Sequence, residues 1–136
     1  MSPAKAAQAC IDRFHGAAYE PGKRDCARLG AHLLHQYGHG CPPMKGQSYR
    51  TEVEALRALR KAGFRDLIAA VDGLGLKRIV PAYAMTGDLI ALPHDDFGAT
   101  LTVAVGNGEV LGFQDGRGKI IKPLAFAAAW RVPCPR

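Results

Sequence analysis

Helices first and an antiparallel sheet after, an α+β domain, is the fold class that three observations predict. Helical spacing with capping residues fills the first half of the chain. After Gly75 the texture changes to short apolar or alternating runs. Two glycine-rich turns, Gly106-Asn107-Gly108 and Asp115-Gly116-Arg117-Gly118, punctuate those runs as hairpins do. At 136 residues, 48% of them hydrophobic, residues 1–136 make one domain, long enough to bury a core without disulfides or a structural metal.

Pro3 to Phe14 is alanine-rich and forms a first helix, with Ser2 as N-cap and Gly16 beyond its end. A second helix begins at Asp25-Cys26 and runs to about Tyr37, where Gly38 stops it. Cys26, Leu29, Gly30, Leu33, Leu34 and Tyr37 fall on one face of it, so the Cys26 sulfur points toward the body of the protein. The Pro- and Gly-rich stretch from Gly40 to Gly46 reads as a loop. Thr51 opens a third helix to Ala62, with Glu52 and Glu54 in its first turn and Arg60 and Lys61 in its last. A short fourth helix covers Asp66 to Asp72. Strands are predicted at Asp88 to Leu92, Thr100 to Val105, Glu109 to Phe113 and Lys119 to Lys122. A last helical piece, Leu124 to Ala129, then leads into Trp130, expected to close the core.

The net charge of +6 raises the question of nucleic acid. The basic residues are dispersed, no aromatics are interleaved with them and no nucleic-acid-binding motif accompanies them, so a solvated basic surface is expected. No run is long enough to cross a bilayer, and no charged-then-apolar leader opens the sequence. The four cysteines, Cys10, Cys26, Cys41 and Cys134, have no CxxC pair, which argues against a zinc ribbon or a disulfide framework. His35, His39 and Cys41 are too loosely spaced for a metal site, and no metal or cofactor is expected.

Cys26 stands apart. The turn from Tyr19 to Asp25 delivers it to the first turn of a helix, where backbone N–H groups and the helix dipole favour thiolate, the nucleophilic form. A cysteine hydrolase also needs a base. His32 and His35 point away from the Cys26 face, and His39 lies past the helix end. His94, with Asp95 or Asp96 to orient it, and His15 are the remaining candidates. Asp88, an acid opening a strand beside a glycine, is expected to fix a turn.

The order of these parts resembles the papain-like fold of the NlpC-type cell-wall endopeptidases. Tyr19, Gly22, Asp25 and Cys26 match that superfamily's nucleophile turn. Gly87-Asp88-Leu89 matches its next strand, and Val105-Gly106-Asn107-Gly108 its hairpin. Tyr49-Arg50-Thr51, Leu59-Arg60-Lys61-Ala62-Gly63 and Ala129-Trp130-Arg131-Val132 further resemble a group of small phage proteins of unknown activity, encoded among tail genes and related to those peptidases.

The resemblance implies Cys26 as nucleophile and Tyr19 as an oxyanion-side contact. It also implies a histidine at the position that, counting back from the hairpin, falls on Thr100. Threonine cannot act as a base near neutral pH. The resemblance therefore implies a structural tail-tip or baseplate component of the virion with a degenerate peptidase fold. It would be made in the host cytoplasm without a signal peptide and arranged with other tail proteins in symmetric copies, docking through the helix from Thr51 to Ala62 and the Pro42-Pro43 loop. The alternative is an active endopeptidase or amidase that cuts peptidoglycan stem peptides, with His94 or His15 as base.

Overall fold

Four polar side chains start four helices. In the computed structural model, which describes residues 1–41, 48–94 and 98–132, Ser2 accepts the Lys5 N–H at the head of α1 (Pro3–Phe14). Asp25 accepts the Arg28 N–H at the head of α2 (Cys26–Gln36). Thr51 does the same for Glu54 at α3 (Glu52–Lys61), and Asp66 for Ala69 at α4 (Leu67–Asp72). Each cap satisfies an N–H group that the first helical turn leaves without an internal partner. All four helices start where the sequence predicts.

The strands form one six-stranded sheet in the order β1-β6-β2-β3-β4-β5. They are β1 (Lys77–Ile79), β2 (Leu89–His94), β3 (Gly98–Gly106), β4 (Glu109–Gln114), β5 (Arg117–Ile121) and β6 (Ala128–Arg131). Every pairing is antiparallel. The β3–β4 turn places Gly106, Asn107 and Gly108 at positive φ, and the β4–β5 turn does so for Asp115 and Gly116, as the two hairpin signals predict.

Two parts of the sheet differ from expectation. The helix predicted over Leu124 to Ala129 does not form. Ala128–Arg131 is instead a strand lying between β1 and β2, pairing Trp130 with Leu89 on one side and Arg78 on the other. Alanine favours helix locally, but a helix there would leave the backbone groups of β2 unpaired in the protein interior, and tertiary pairing overrides the local preference. The second difference is β1 itself, only three residues long and without alternation, followed by a 3₁₀ turn at Pro81–Tyr83.

The core lies between one face of the sheet and helices α1 and α2. Phe14, Leu29, Leu33, Tyr37, Val103 and Trp130 are all fully buried there. A smaller cluster of Ile90, Leu92, Ala104, Val110 and Ala129 covers the opposite face. Trp130 closes the core as predicted, and its indole N–H donates to Asp72 Oδ1 at 2.8 Å while the Arg78 guanidinium lies over the ring. Asp88 fixes its turn as expected. It is buried and accepts the N–H groups of Met85 and Val132 and the Arg131 Nε–H. The neighbouring Gly87 has φ +91°, and a Cβ there would lie 2.3 Å from the Tyr37 hydroxyl, so only glycine fits.

Candidate functional site around Cys26

The turn that carries Cys26 is organised by Asp25. Its carboxylate takes the Arg28 N–H on Oδ1 and both the Gly22 N–H (2.8 Å) and the Tyr49 hydroxyl (2.6 Å) on Oδ2. Asp25 is 5% exposed, and three donors offset what that burial costs a carboxylate. Gly22, at φ +88°, packs so tightly that a Cβ would sit 1.9 Å from the Tyr49 carbonyl oxygen. The Gly22-to-Asp25 spacing is thus a socket for the backbone and ring of Tyr49. The sequence signals the socket but not its occupant, because Tyr49 arrives from 24 residues away.

Cys26 follows directly, half-buried at the start of α2. It lines the same cavity as Thr100 and Leu101 of β3, both of which pull its pKa down as hydrogen-bond donors. The position that the resemblance assigns to a histidine thus lies in the same cavity as the thiol, and a threonine occupies it. The net effect on the thiol reverses the expectation from the helix start. Burial raises its pKa, and the adjacent Asp25 carboxylate raises it further. The bonds from Leu101, Thr100 and the cysteine's own N–H only partly oppose this.

Tyr19 donates its hydroxyl to Glu52 Oε1 at 2.6 Å, and its ring meets the edge of Phe113. Burial first, then the Glu52 carboxylate, drives the Tyr19 pKa upward; burial and Asp25 do the same for Tyr49. Both phenols are therefore neutral donors over the physiological range.

These groups stand at one end of a cavity of about 370 Å³ between α2, α3, α4 and the sheet. Tyr19, Cys26, His94 and Thr100 all line it. His94, at the end of β2, is the one histidine among the described lining residues, while its proposed partners Asp95 and Asp96 lie outside the described residues. His15 caps the exposed C-terminus of α1 and does not line the cavity. His32 rests edge-on against Phe14, away from Cys26. Sequence reasoning missed Glu52 and Tyr49, whose roles come from tertiary contacts that no local pattern announces.

What this geometry defines is a class of protein: an α+β domain with a cysteine-headed helix laid against the central strand of an antiparallel sheet. The chain belongs to the family described as a domain of unknown function (DUF6950), which it matches over residues 3–132. No curated protein matches the chain. Among the described residues no helix is long and apolar enough to cross a membrane.

Proposed function

We propose that this protein is a non-catalytic relative of the NlpC-type cysteine peptidases and serves as a structural component of a phage tail tip or baseplate. The observation that carries the reading is that Thr100, at the position the peptidases give to their histidine, lines the cavity that Cys26 lines. A hydroxyl can steady a thiol but cannot take its proton and return it to a leaving amine. The raised thiol pKa supports the same reading, since the nucleophilic thiolate is scarce near neutral pH. Function then resides in surfaces. Of the two docking elements expected, α3 presents its outer face, with Val53 exposed, and the Pro42-Pro43 loop lies outside the described residues. Tail placement and symmetric copies rest on the sequence resemblance.

A second reading, an active endopeptidase or amidase acting on peptidoglycan, is favoured by one observation: His94 lines the cavity that Cys26 lines. The pH profile of Cys26 alkylation by iodoacetamide separates the two. The structural reading expects reactivity that rises only above about pH 8.5, the ordinary thiol value, and that His94→Ala leaves unchanged. Reactivity already present near pH 6 and abolished by His94→Ala would establish a catalytic pair. Mass spectrometry of purified virions checks the tail assignment, which fails if the chain is absent from the particle.

A further inference from the structure

The face of the sheet turned away from α1 and α2 is covered by chain segments rather than by helices. β5 and β6 stand four strand positions apart, about 19 Å at the ordinary strand spacing, and residues 122–127 join them. Six residues reach about 20 Å when extended, so this strap runs nearly taut across the sheet. The helices fill one face and the strap takes the other, where Ile121 at its start packs into the cluster of Ile90, Leu92, Ala104, Val110 and Ala129. The segment from Val80 to Met85 covers the same face over β6. Ala84 packs on that cluster, and the Tyr83 carbonyl accepts the Arg131 guanidinium.

Both segments turn apolar side chains outward. Leu124 is fully exposed, Tyr83, Met85 and Val80 are 71%, 64% and 57% exposed, and Phe126 is 41% exposed. Single apolar side chains on a surface are ordinary, but a group of them on two segments of one face marks an interaction site. Register places cations around them. Lys77 shares the face with Ile79, Lys119 with Ile121 and Arg131 with Ala129, because alternate residues of a strand point the same way. Lys122 opens the strap. Asp88 offsets Arg131 and Asp115 offsets Lys119, while Lys77 and Lys122, both exposed, add positive charge to the face.

We propose that this outer sheet face docks on an anionic lipid bilayer. Leu124, Phe126 and Met85 enter the interface below the headgroups, Tyr83 keeps its hydroxyl at headgroup level, and Lys77 and Lys122 meet lipid phosphates. Charge selects this occupant over a second copy, because two such faces brought together would set Lys77 and Lys122 against like charges. An acidic protein would need a matching hollow for each outward side chain, whereas a fluid interface takes them in as they stand. The contact is peripheral, since among the described residues no helix is long and apolar enough to cross a membrane. The proposal goes beyond the tail reading and depends neither on it nor on the chemistry of Cys26.

The test is flotation of the full chain with vesicles of phosphatidylcholine alone and of equal parts phosphatidylcholine and phosphatidylglycerol. Binding should need the anionic lipid and weaken as salt rises. Lys122→Gln should lower affinity about fivefold, and Leu124→Ala by about tenfold or more. Leu124 is fully exposed, so its truncation leaves the fold intact, which unchanged emission from the buried Trp130 verifies. With nitroxide-labelled lipid, the methyl signals of Leu124 and Met85 should broaden in the wild type while those of Leu56 and Leu59 on α3 do not. Equal binding to the two vesicles, no binding to either, or broadening centred on α3 would each overturn the proposal. A dimer in sedimentation equilibrium that Leu124→Ala dissociates would give the face to a second copy, and retention on poly-glutamate as firm as on the vesicles would give it to an acidic protein. Either result overturns the lipid assignment.

Discussion

Helices α2 and α3 are nearly equal in length and capped alike by an acceptor side chain, yet α2 buries five residues and α3 none. The difference lies in what each apolar face meets. The α2 face meets the sheet through Leu29 and Leu33, which are excluded from water altogether. The α3 face, half-buried, lines the cavity, and hydrogen bonds at its N-terminal end tie it to the body. Amphipathic spacing thus identifies a helix without saying whether its apolar side contributes to the core or walls a cavity. α2 belongs to the part of the molecule that fixes the fold, and α3 to the part that leaves room for something else.

The largest expected effect tests the α2 side. Leu33→Ala removes a side chain with no exposure from the centre of the core, and large-to-small changes at such sites cost about 2–5 kcal/mol. Urea unfolding followed by circular dichroism should show that loss as a lower midpoint with an unchanged slope. A loss below about 1 kcal/mol would mean that α2 does not anchor the core as described. Gly22→Ala comes next. It places a methyl against the Tyr49 carbonyl at a residue held at positive φ, a backbone conformation that costs a non-glycine residue about 1–3 kcal/mol before any overlap is counted. Because Gly22, Tyr49 and Asp25 form one unit, this change and Tyr49→Phe should be non-additive in a double-mutant cycle.

Tyr49→Phe alone removes one of the three donors to a buried carboxylate, a bond to a charged group worth about 1.5–3 kcal/mol. The lower end is expected, because the Gly22 and Arg28 N–H groups remain. This bond also ties the α3 end of the chain to the α2 end. Its loss should therefore weaken the connection between the two helices more than it weakens the core.

pH sharpens the contrast between the thiols. Burial pushes Cys10, inside the core, up to about 12, and the same cause raises Cys26 at the cavity. Tyr19 and Tyr49 are raised as well. In each case the unfolded chain gives up its proton at a lower pH than the folded one. Stability from these groups is fully present below the unfolded thiol value of about 8.5 and declines as pH rises above it, with the tyrosines adding to the loss from about 10 upward. Unfolding midpoints measured from pH 7 to 10.5 should fall, and Cys10→Ser/Cys26→Ser should lessen the early part of the decline. A rising or flat profile in the wild type would contradict the burial described.

Much of this arrangement is legible in the sequence because it is local. Ser2, Asp25, Thr51 and Asp66 announce helix starts through residue type and position, and the glycines and Asn107 announce hairpins. The Tyr19, Gly22, Asp25 and Cys26 turn is likewise visible as a unit. What escapes is non-local. Leu124 to Ala129 has helical composition, yet Ala128 and Ala129 enter a strand because β2 needs a partner. The helix dipole argues for a reactive thiol at Cys26, but burial and the Asp25 charge outweigh it, and neither magnitude can be read from spacing. The placing of Thr100 in the cavity with Cys26 is the exception. It is a long-range neighbourhood that the resemblance to the peptidases implies, and both residues line the one cavity.

The smallest expected effect bears most directly on α3. Tyr19→Phe deletes a short hydrogen bond to Glu52 near the surface, where neutral solvent can replace the phenol, so global stability should fall by no more than about 1 kcal/mol. Its effect on α3 alone should be larger in proportion, because that helix has no buried residue to hold it. Native-state hydrogen exchange resolves the two: amides of α3 should open at a lower free energy than those of α2 in the wild type, and Tyr19→Phe should lower protection in α3 while leaving α2 unchanged. If both helices lost protection together, α3 would be part of the same cooperative unit as the core, and the division between a fold-determining α2 and a cavity-walling α3 would have to be abandoned.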